Sequence, residues 1–193
     1  VSQALGPQRL QELRAALKRE PSAGIEASGV MGEGASLCQG WPVPDIQTFE
    51  LLRRGVDEAL VAGSWREAVI LAEASIRRAA ALGAHDQLAG LHEARARGLA
   101  AGGHRTDVVA AWQACVMATA VDDVGRRADR LRELAEVEWQ EGLFAAASGH
   151  IEEAATLLTR HQEAVGPIGD AVTLTRGLFA GRAPLPTPTQ RQA

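Results

Sequence analysis

The chain has 193 residues, 46% of them hydrophobic and only 4% aromatic, with no tyrosine and a formal net charge of −4. That length fits one ordinary domain or one repeat array with tails. Its 20 basic and 24 acidic residues are interspersed, which argues for solvated helix faces and against a phosphate-binding stripe, and so few rings disfavour nucleic-acid binding.

Pro7 to Arg19 reads as a first helix, with Leu10, Leu13 and Leu17 on one stripe, and Pro21 stops it. The predicted organisation is an N-terminal amphipathic helix over 1–20, a flexible linker over 21–44, a helical repeat domain over 45–181 and a disordered tail over 182–193. The linker carries five glycines between Ser22 and Gly40. Trp41 anchors the chain entering the body, and Asp45 stands where it would cap the next helix.

Helices then come in pairs. The first is predicted over 46–62 and 65–82, where Phe49, Leu52, Val56, Ala59 and Leu60 answer Trp65, Ala68, Val69, Ala72 and Ile76. Ser64 and Glu67 form a predicted capping box, and Gly83 closes the pair. The second pair spans 86–101 and 106–120, with Leu88, Leu91 and Leu99 facing Val109, Trp112 and Val116 and a turn at Gly102-Gly103. Asp122 and Asp123 precede a third pair over 124–141 and 144–163, in which Leu131, Leu134 and Ala135 meet Ile151, Ala154, Ala155 and Leu158. A last helix over 168–180 offers Ile168, Val172, Leu174, Leu178 and Phe179 to cover the open end.

One hexamer pattern opens the second member of every pair: Gly63-Ser-Trp65-Arg-Glu-Ala68, Gly103-His-Arg105-Thr-Asp-Val108 and Gly142-Leu-Phe144-Ala-Ala-Ala147. A spacing of about 40 residues is the mark of stacked supersecondary units. Nine positions at that period are small or medium: Val56, Ala68 and Ser75; Ala96, Val108 and Cys115; Ala135, Ala147 and Ala154. Paired helices whose axes approach to about 8–10 Å need such residues where they cross.

These residues resemble tetratricopeptide repeats of the longer variety, as in Rap-type regulators, kinesin light chains and the sensor arms of ATP-dependent transcription activators. The resemblance covers about residues 46–163. It implies an all-α fold: an α-α superhelix of three hairpins with a C-terminal capping helix and a separate N-terminal helix. Arg105 departs from the pattern, standing where the other copies have Trp65 and Phe144. The resemblance further implies a concave groove lined by Glu50, Arg53, Asp57 and Leu60, by Glu93 and Arg97, and by Asp129, Arg132, Glu136 and Trp139. Arg53, Arg97 and Arg132 could bind acidic groups of a partner or pair with the neighbouring carboxylates.

Catalytic chemistry finds little support. His85 and His92 with Asp86 and Glu93 lack the spacing of a metalloprotease helix and a further ligand, so they read as solvent-facing polar residues. Glu152 and Glu153, near His150 and His161, read as solvated charge. Phosphate loops, nucleophile elbows and dinucleotide fingerprints are missing. Cys38 and Cys115 make neither a disulfide framework nor a metal motif, and Cys115 reads as a small apolar residue in a helix.

A non-enzymatic protein–protein interaction module is therefore the expected function, holding a peptide or helix of another protein in the groove. No catalytic residue, metal or cofactor is expected. The alternative is a sensor or regulatory component of a transcription or signalling system, and homodimerisation stays open. The apolar runs are too short to span a membrane, the start of the chain lacks a secretory pattern, and a reducing cytoplasm is the expected compartment.

Overall fold

A computed structural model describes residues 6–18, 46–161 and 166–182, and every regular element among them is an α-helix. In chain order these are α1 (Pro7–Lys18), α2 (Ile46–Val61), α3 (Trp65–Leu82), α4 (His85–Ala101), α5 (Arg105–Ala118), α6 (Val124–Gln140), α7 (Phe144–Arg160) and α8 (Pro167–Arg182). The predicted linker, with Cys38, Trp41 and Asp45, and residues 183–193 of the predicted tail lie outside the described residues. Arg182, assigned above to the tail, instead ends α8. No described helix is long and apolar enough to cross a membrane.

The chain divides into two compact units, Val1–Gly102 and Gly103–Ala193. The expected second pair is therefore shared between them, α4 belonging to the first and α5 to the second. In the first unit α2 packs on α3 and α4, α3 packs on α4, and α1 packs on α2. Leu52, Val56 and Ala59 of α2 meet Ala68, Leu71, Ala72 and Ala74 of α3 in one buried cluster that also takes in Leu13 and Ala16 of α1. A smaller cluster joins Phe49, Ala79 and Leu91 across α2, α3 and α4. Two helix-interior glycines mark close approaches. A Cβ on Gly98 would lie 2.9 Å from Cγ2 of Val69 and 3.3 Å from the Trp65 carbonyl oxygen, and one on Gly55 would collide with Leu13. Glycine is tolerated mid-helix, against a cost of about 1 kcal/mol, where such packing requires it.

In the second unit α6 packs on α5, α7 and α8, and α7 packs on α8. Leu131 and Leu134 of α6 and Ile151 of α7 are among the largest fully buried side chains. α6 also completes the end of α5: Arg127 donates to the Val116 carbonyl at 3.3 Å, and Arg130 donates to the Thr119 hydroxyl at 2.8 Å. Cations at this end of a helix complement the partial negative charge of its last carbonyls. Cys115 is buried, as its small apolar character suggested.

All nine small-residue positions singled out by the repeat are at most 3% exposed. At each of them a longer side chain would have to push a neighbour aside.

The turns follow from glycine chemistry. Gly63, Gly83 and Gly142 have φ of 70°, 71° and 78°, a left-handed conformation costly to residues with a Cβ. After each, the next amide reaches back to the last helical turn: Ser64 to Ala59, Ala84 to Ala79 and Leu143 to Glu138, at 2.8–2.9 Å. The capping box at Ser64 does not form, because its side chain makes no capping hydrogen bond. Asp123 has nearly the same backbone angles and does cap, accepting from the Arg126 amide at 3.2 Å.

The inner face of α8 also differs from expectation. Val172, Thr175 and Phe179 are buried, at i, i+3 and i+7, whereas Leu174 and Leu178 are 66% and 47% exposed. At 100° per residue, Leu174 and Leu178 fall outside the stripe set by the other three.

Candidate protein-interaction surface

The residues assigned to a groove resolve into arginine-centred groups, each on one helix. On α2, Nε of Arg53 lies 3.2 Å from Oε2 of Glu50 and its Nη1 3.8 Å from Oδ2 of Asp57. On α4, Arg97 reaches Glu93 at 2.6 Å. On α6, Arg132 contacts Asp129 at 2.9 Å, Glu136 at 2.6 Å and also Glu133. Positions three and four apart are neighbours on a helix surface, so the sequence spacing itself builds these pairs. In the isolated chain all three arginines pair with these neighbouring carboxylates.

Their strengths differ. The groups on α2 and α4 are half-exposed pairs, each contributing about 0.3–0.5 kcal/mol. A partner's carboxylate could exchange with them at little cost. Arg132 is held more firmly, its side chain only 15% exposed. Burial alone would lower the basicity of its guanidinium. The hydrogen bond to Asp129 and the charges of Glu133 and Glu136 outweigh that and raise it above the ordinary arginine value.

Two groove assignments fall on side chains engaged elsewhere. Leu60 is partly buried and packs against the core of the first unit. Trp139 stacks flat on Phe179 of α8, centroids 4.2 Å apart at 5°, and takes the edge of Phe144 at 4.7 Å and 69°. Thr175 of α8 donates to Glu136 at 3.0 Å, and Arg176 donates to Glu152 on α7 at 2.6 Å. α8 thus covers the end of α6 that carries Glu136 and Trp139. Asp129, Arg132 and Glu136 of the second unit are joined through Arg132, while Glu50, Arg53, Asp57, Glu93 and Arg97 of the first form two separate groups.

The histidines sort differently from their sequence reading. His85 is exposed, as expected, but His92 is half-buried, and its Nδ1 is enclosed without a hydrogen-bond partner. Burial, with the charge of Arg95 beside it, pushes the His92 imidazole below its ordinary pKa, so the ring is neutral at pH 7. Among the described residues no group of three or more His, Cys, Asp or Glu side chains is placed to hold a metal ion. Trp65, expected in the core, is only half-buried and carries the Arg66 guanidinium 4.9 Å above its ring. Trp112 is buried as expected.

Sequence reasoning missed one buried polar pair. Glu138 is 1% exposed, and its Oε2 lies 2.7 Å from Nδ1 of His150, joining α6 to α7 near their turn. The available signal was periodicity: Glu138 follows Leu131, Leu134 and Ala135 on the apolar stripe of α6, where a carboxylate needs a partner. Arg9, bound to Glu58 through two hydrogen bonds, was missed as well.

No family model matches the chain, and no match was found among curated proteins or solved structures. The class that stands on the described residues is an all-helical protein.

Proposed function

We propose that this chain is a non-enzymatic protein–protein interaction module of tetratricopeptide-like architecture, working in the cytoplasm and holding a peptide or helix of a partner protein. Burial of all nine small positions supports the repeat reading, since stacked hairpins require small residues there. In this reading α2 and α4 of the first unit present the binding face. The observation that carries the function is the half-exposed Glu50–Arg53–Asp57 and Glu93–Arg97 groups, whose weak internal pairs present charge of both signs. A mixed-sign surface selects partners by complementarity of pattern more than by bulk attraction.

Affinity capture from the source cells, quantified by mass spectrometry, tests this against an Arg53→Glu/Arg97→Glu chain. The double variant should keep its helical circular dichroism and lose at least about tenfold of the captured partner, the loss of one or two charge-assisted contacts. Undiminished capture by the variant would place binding elsewhere.

A further inference from the structure

The first unit holds a helix on a face distinct from the charged one. α1 lies against α2 and α3 with Leu13 and Ala16 fully buried and Leu17 partly so. Leu13 fills a notch that exists because residue 55 is glycine: a Cβ there would collide with Cδ2 of Leu13. Beside the notch, Arg9 grips Glu58 in a two-point fork, Nε to Oε2 at 2.7 Å and Nη2 to Oε1 at 2.8 Å. The hydrogen bond from Arg9 lowers the Glu58 carboxyl below its ordinary pKa, and burial opposes this without cancelling it. Gly55 and Glu58 lie roughly 140–160° around α2 from Arg53 at 100° per residue.

Two features mark this face as a receptor for helices more than as a fixed part of the core. Among the described side chains of α1, Leu13 and Ala16 are the buried ones, while Gln8, Gln11, Glu12, Arg14 and Ala15 are exposed. The helix also underfills the site: a cleft of about 120 Å³ remains, lined by Leu13, Arg14, Leu17, Glu67, Ile70 and Leu71. A void of that size beside apolar side chains forfeits contacts a larger group would make.

We propose that the α2–α3 face around Gly55 and Glu58 is a helix-docking site, held in cis by α1 and open in trans to an amphipathic helix of the same pattern. That helix carries arginine, leucine four residues on, alanine seven on, and at the eighth an apolar residue larger than Leu17. Helix-in-groove recognition uses this i, i+4, i+7 spacing of anchors. The proposal stands apart from the charged face and from the function assigned to it, so either can fail alone.

The test uses the full chain with Leu13→Asp and Ala16→Asp, which release α1 while leaving its Arg9 in place, and a fluorescent peptide of residues 6–18 as probe. A tethered segment acts at an effective concentration on the order of mM. For α1 to be docked about nine-tenths of the time, the free peptide must bind with a Kd at or below about 0.1 mM. Anisotropy should show saturable binding to the released chain and binding at least about tenfold weaker to the unaltered chain, whose own α1 competes. Adding Glu58→Arg, a partly exposed position, should abolish binding, and a peptide carrying Arg9→Glu should restore it. A peptide carrying Leu17→Phe should bind severalfold tighter by entering the cleft. Lack of saturable binding, indifference to Glu58→Arg, failure of the charge-swapped rescue or equal affinity for both chains would overturn the docking site. Equal or weaker binding of the Leu17→Phe peptide would overturn its preference for a larger residue.

Discussion

Leu131→Ala should cost the second unit about 2–5 kcal/mol of unfolding free energy. Leu131 is 1% exposed at the centre of the α6 stripe, among side chains that include the fully buried Leu134 and Ile151. Truncation removes apolar surface and leaves a cavity that the surrounding side chains can close only in part. Urea titration monitored by circular dichroism measures the effect. Leu174→Ala supplies the contrast: this leucine lies on the exposed side of α8 and should change stability by no more than about 0.5 kcal/mol. Similar costs at the two sites would mean that the inward face of the second unit is misassigned.

His150→Ala should cost about 1–3 kcal/mol although the histidine is partly exposed, because it strips a hydrogen-bond partner from the buried Glu138. The penalty belongs to the carboxyl left behind and not to the imidazole removed. Combining His150→Ala with Glu138→Leu should therefore recover much of the loss, since replacing both members by apolar groups can be nearly neutral. A double-mutant cycle in urea separates the two accounts. Additive costs would show that the pair is not coupled and that Glu138 is satisfied otherwise.

Most of the helical framework was legible because it rests on local chemistry. Positive-φ glycines after α2, α3, α4 and α6 and the apolar stripes place the helix boundaries within a few residues. The charged groups on α2, α4 and α6 were legible for the same reason, being set by spacing along a single helix. What escaped was non-local. Nothing within α6 says that Phe179 will close over Trp139, or that Glu138 will find His150 on the next helix. Similarly, Gly55 looks like a weak point of α2 until Leu13 of α1 is seen to occupy its missing side chain. The stripe on α8 was misread because five apolar residues fit more than one helical face, and packing against α6 and α7 chose Val172 and Phe179 over Leu174 and Leu178.

Enlarging the buried alanines tests most directly whether small contacts set the approach of these helices. Leucine would be placed singly at Ala68, Ala96, Ala135, Ala147 and Ala154, all 0% exposed, and at the exposed Ala81, Ala110 and Ala145. Urea unfolding should show losses of about 1–3 kcal/mol or more at each of the five buried sites. The three exposed sites should stay within about 0.5 kcal/mol of the parent. Indistinguishable losses in the two sets would contradict the account, because leucine would then find room where the helices are held to meet.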